Sequence, residues 1–132
     1  LIVKNVYVSL SCYNPDIQRN QYYLNLKLKI DLLILFIKEI LTSLSNGILN
    51  EDGEPASGFD YLEDALDIRY LVTSQKDYIG ARVLVAFGGP NIWIDTESKT
   101  VEGYWWGTER FAKYSEDSME IDEALEELWN CS

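Results

Sequence analysis

Residues 78–107 read YIGARVLVAFGGPNIWIDTESKTVEGYWWG, and the way this stretch divides decides the fold. Three segments, 78–87, 91–96 and 100–107, are rich in β-branched and aromatic residues and are parted by the short turn-like groups GGP and ESK. Links that short join antiparallel neighbours, since parallel strands need a crossover of a dozen residues or more. Ile92 and Ile94 alternate with Trp93 and Asp95, and Val101, Gly103 and Trp105 alternate with Glu102, Tyr104 and Trp106. That is the period of a strand, with aromatic bulk on both faces. A glycine inside such a pattern, Gly103, predicts a bulge or the close approach of something large.

On either side, DIRYLVTS (67–74) joins through QKD and RFAKY (110–114) follows as a short edge strand, so an antiparallel β-meander of four to five strands is expected. Upstream, LLILFIKEILTSLSNG (32–47) has helical spacing and an Asn46-Gly47 stop. It predicts a buried helix over 31–46, apolar nearly all round and so covered on more than one side. LNLKLKI (24–30) alternates like a strand, unless the helix starts several residues earlier and absorbs part of it. IVKNVYVSL (2–10) reads as a further strand and YNPD (13–16) as a turn. NEDGEPASG (50–58) is a loop; it resembles half of a calcium loop, but the acidic spacing fails after Gly53. Asp60 with Glu63 opens a short helix over 60–66, and Asp117 with Glu120 opens an acidic C-terminal helix over 117–130. The fold class is therefore α+β, in one domain of 132 residues.

Charge narrows the function. The chain carries 22 acids and 11 bases, a net of −11. Residues 1–49 hold three acids and five bases, which leaves nineteen acids and six bases, a net of −13, in 50–132. Such a field repels nucleic acid and anionic membrane and attracts basic proteins. The two cysteines, Cys12 and Cys131, form no short-spaced metal or redox motif. The longest apolar run, Leu32 to Ile37, is too short to span a bilayer, and the N-terminus lacks the layout of a secretory signal. A cytoplasmic protein is expected. The opening Leu1 points to a trimmed chain or an unusual start codon.

There is no histidine, which removes the commonest general base, the usual triads and most catalytic zinc sites. No enzyme and no cofactor or metal is expected. Asp95 and Glu102 among tryptophans could form a glycosidase-like pair, but with 22 acids that coincidence is cheap.

The candidate site is acidic. Glu116, Asp117, Glu120, Asp122, Glu123, Glu126 and Glu127 put seven carboxylates on twelve residues. On a helix rising ~1.5 Å per residue that is roughly one charge per 2.6 Å, near the ~1.7 Å of duplex DNA. Acids in a first turn suit the helix dipole, but Glu123, Glu126 and Glu127 lie toward the end it disfavours. Glu63, Asp64 and Asp67 could extend the patch, and Trp93, Tyr104 and Trp106 are candidate aromatic anchors.

The segment GARVLVAFGGPNIWIDTESKTVEGYWWG followed by IDEALEELW, within about residues 79–130, resembles small acidic proteins of phages and conjugative elements. Among these are anti-CRISPR and antirestriction inhibitors, several of them similar to DNA in surface charge. The resemblance implies an inhibitor acting in the host cytoplasm against a basic, nucleic-acid-binding nuclease, and assigns no residue a role. The alternative is a protein–protein or self-assembly module, a homodimer included, that docks through the tryptophan-rich sheet.

Overall fold

The computed structural model describes residues 15–132. The expected strand at 2–10, the first half of the 13–16 turn and Cys12 lie outside the described residues, while Pro15 and Asp16, expected in that turn, open a helix instead. Helix α1 (Pro15–Asn46) leads into α2 (Gly58–Leu62), then five strands, β1 (Asp67–Val72), β2 (Tyr78–Ala86), β3 (Asn91–Asp95), β4 (Thr100–Trp105) and β5 (Thr108–Lys113), and finally α3 (Ile121–Asn130). The strands form one sheet in the order β1-β2-β3-β4-β5, and every neighbouring pair is antiparallel. The expected α+β meander is therefore present, with five strands.

One face of the sheet is covered by helices. Ala81, Val83, Ile92, Ile94, Val101 and Trp105 pack there with Leu33, Ile37 and Leu44 of α1 and Ile121, Ala124 and Leu125 of α3. α1 lies over β4 and β5, while α3 lies over β2 and against α2. Gly103 is where α1 comes closest: a β-carbon there would sit 2.8 Å from Leu33 Cδ1 and 2.9 Å from Ile37 Cδ1. The strand glycine marks a close approach, and what approaches is the helix.

Three helix boundaries differ from the sequence reading. α1 starts at Pro15, not residue 31, and absorbs all of the alternating 24–30 segment. No glycine or proline interrupts 16–46, and extending an existing helix adds one hydrogen bond per residue ordered, whereas a new strand needs a partner edge. This helix of 32 residues, about 48 Å at ~1.5 Å per residue, buries one face. Leu33 is fully buried while Leu35, on the far side, is 59% exposed. The C-terminal stop holds: Gly47 takes a positive φ of 75° and its N–H donates to Ser43 O.

The short helix lies at 58–62 instead of 60–66, because Ser57 is its N-cap in a full capping box with Asp60. Glu63 is its C-cap. The C-terminal helix starts at Ile121, four residues later than expected. Glu120, at its N-cap, has φ 57°, in the left-handed region, which stops the helix from reaching back to residue 117. The cap comes from further upstream: Asp117 accepts from the N–H groups of Ile121 (2.9 Å) and Asp122 (3.1 Å).

Candidate functional site

The acidic residues of 116–127 divide into two groups. Three serve the fold. The Glu116 carboxylate accepts from Ser45 Oγ at 2.9 Å, tying the chain ahead of α3 to the end of α1. Asp117 caps α3. Asp122 accepts a 2.6 Å hydrogen bond from the Tyr78 hydroxyl on β2; burial first, and then this bond, push the Tyr78 hydroxyl well above the ordinary tyrosine range.

The other four, Glu120, Glu123, Glu126 and Glu127, are exposed. The ion pairs among the described residues are Arg69–Asp67 and Arg82–Glu102, so none of the four is ion-paired there. Glu120, Glu123 and Glu127 stand at i, i+3 and i+7, one stripe of the helix and its cap. Because residues 116–120 are not helical, the phosphate-like spacing expected over twelve residues applies only to the carboxylates of α3 itself.

Glu63 and Asp64 are exposed just beyond α2. α2 rests on the start of α3, where a β-carbon on Gly58 would lie 2.7 Å from Glu120 O and 2.9 Å from Ala124 Cβ. The two acidic segments therefore belong to helices packed against each other. Asp67 is drawn off to Arg69, 3.0 Å away. Glu51, Asp52 and Asp60, absent from the sequence-level candidates, line a cleft with Glu63 and Asp64. Glu51 and Asp52 get there because the loop folds back, with Asn50 Oδ1 accepting from the N–H groups of Asp52 and Glu54 and Leu49 bridging Pro55, whereas Asp60 is carried by α2. The signal was present as the charge run NEDGE, but the turn that aims it was not visible. No group of three or more His, Cys, Asp or Glu among the described residues could hold a metal ion.

The aromatic candidates do not form one row. Trp93 and Tyr104 lie half-buried on the sheet face away from the helices. There the guanidinium groups of Arg69 and Arg82 sit 4.9 and 4.5 Å from the centre of the Trp93 ring. Arg82 also binds Glu102 at 2.8 Å. Tyr104 meets Phe111 of β5 edge to face at 5.8 Å.

Trp106 leaves this row. The strand ends at Trp105, and Trp106 and Gly107, at φ 50° and 77°, form the two-residue turn into β5. Two positive φ values are the type I′ geometry that matches strand twist, and a bulky residue at its first position is strained. Trp106 is 79% exposed, and Lys29 Nζ of α1 lies 4.2 Å from its ring centre.

Asp95 and Glu102, the carboxylates considered for sugar chemistry, are both engaged within the fold. Asp95 Oδ1 accepts from the N–H groups of Glu97 and Ser98, and Glu102 pairs with Arg82. No helix of the described residues is long and apolar enough to cross a membrane. No protein-family model matches the chain, and no curated protein and no solved structure matches it.

Proposed function

We propose that this protein is a non-enzymatic inhibitor that offers its acidic side, α3 with the end of α2, to the basic channel of a nucleic-acid-binding protein in the cytoplasm. A defence nuclease blocked by a phage or mobile-element protein is the case the charge and the resemblance both favour. The observation that carries the reading is the four-carboxylate set of Glu120, Glu123, Glu126 and Glu127: exposed, without an ion-pair partner among the described residues, and without a structural bond like those of Glu116, Asp117 and Asp122. Carboxylates held on a rigid helix bind a lysine- and arginine-lined groove without the ordering cost of a flexible acidic tail.

The test is capture of partners from a lysate on the immobilised protein at low and high salt. A basic nuclease held at low salt and displaced by added DNA is the expected result. Reversing Glu120, Glu123 and Glu127 to Lys abolishes that capture while the circular dichroism spectrum is unchanged; a folded triple variant that still captures would sink the reading.

A second reading is favoured by Trp106. A strained, 79% exposed tryptophan at a hairpin tip, sharing a surface cleft with the half-buried Tyr104, suits docking of a structural partner. Capture indifferent to salt and DNA but lost in Trp106→Asn would favour it.

A further inference from the structure

α1 is a helix with two apolar faces, and the sheet uses one. Leu33, Ile37 and Leu44 meet the core. About 200° around the axis, at ~100° per residue, Ile17, Leu24, Leu28 and Leu35 are exposed at 52, 62, 51 and 59%. With Gln21 and Asp31 they fall at 17, 21, 24, 28, 31 and 35, alternating steps of four and three. This is the 3.5-residue repeat of a coiled-coil seam, with Ile17, Leu24 and Asp31 at d and Gln21, Leu28 and Leu35 at a.

The stripe is also self-complementary. The six positions are symmetric about Leu26, so a second helix laid antiparallel sets Ile17 against Leu35, Leu24 against Leu28, and Gln21 against Asp31 of the other copy, each contact made twice by the two-fold axis. The two polar layers, related by the two-fold axis, then each join an amide donor to a carboxylate, and slipping the register would set Asp31 against leucine. Charge points the same way. α1 carries four bases and three acids, so its seam avoids the repulsion that the strongly acidic remainder of the chain would bring to any other self-contact.

We infer that the chain forms a two-fold homodimer through an antiparallel coiled coil of α1, with the seam running from Ile17 to Leu35 and the sheet domains on its outer sides. At ~1.5 Å per residue the seam is about 27 Å long. Both acidic α3 helices, which lie over β2 rather than on α1, stay clear of it, and the inference does not depend on the inhibitor reading.

Sedimentation velocity of the full chain over a range of concentrations tests it. A reversible monomer–dimer equilibrium is expected. Gln21→Glu, which sets like charges against Asp31, should weaken the dimer by about ten-fold, and adding Asp31→Lys to that variant should restore it, with helix content unchanged throughout. A monomer at every concentration, growth past the dimer, a dimer indifferent to Gln21→Glu, or no recovery in the double variant would each overturn the inference.

Discussion

Gly103 shows how one residue can set the distance between two layers. Leu33 is fully buried and Ile37 nearly so, and both occupy the space a β-carbon would need. Gly103→Ala therefore overpacks a dense interior, and we expect a loss of about 1–3 kcal/mol, measured by urea unfolding. Its sequence signal, a glycine in an alternating strand, was legible, but the identity of its neighbour was not, because Leu33 and Ile37 are far from it in the chain. Trp106 is the opposite case. The alternation of 100–107 places it beside Tyr104, yet the turn takes it out of the strand. The two-residue connection between Trp105 and Thr108 takes two positive φ values, and the sequence has Trp-Gly where Asn-Gly is the usual signal for that turn.

At the scale of the element, α3 is a helix whose charges work against it. Glu126 and Glu127 lie toward the C-terminus of Ile121–Asn130, and the last turn has no base. The helix dipole disfavours carboxylates there, and Glu123 repels Glu127 one turn on. Changing Glu126 and Glu127 to Lys should raise stability, by about 0.3–1 kcal/mol for each position, while weakening capture of a basic partner. Urea unfolding beside the capture assay checks both; a loss of stability would mean that these carboxylates support the fold. α1 was half legible. Its C-terminal stop and core face follow from residues 31–47, but 24–30 suits a strand as well as a helix, and continuity with a helix already docked on the sheet settles it.

At the scale of the whole molecule, tyrosine hydroxyls sit where separate elements pack together. Tyr61 of α2 is pushed up to about 12, by burial and then by Glu39. Tyr78 and Tyr114 are raised further, by burial first and then by acids, Asp122 for Tyr78 and Asp117 for Tyr114. Their folded values lie above the unfolded value near 10, so the folded state keeps a proton that the unfolded state loses. The stabilisation is complete below pH 10 and drains away as pH rises through the folded values. The urea midpoint should hold between pH 8 and about 10 and fall above it, and Tyr78→Phe should lessen the fall. A midpoint flat to pH 12 would show that these hydroxyls ionise freely in the fold.

The sequence by itself determined the sheet, its antiparallel order and the acidic balance of the chain, because alternation repeated over successive segments with short turns between them is a local property that an antiparallel meander satisfies. Tertiary structure decided what each side chain was left free to do. Packing spent Glu116, Asp117 and Asp122 on bonds to other elements and left Glu120, Glu123, Glu126 and Glu127 to solvent. It set Arg69 and Arg82 against Trp93, and it turned one face of α1 inward while leaving the other bare. Those outcomes depend on contacts between residues distant in the chain, and a local pattern carries no record of them.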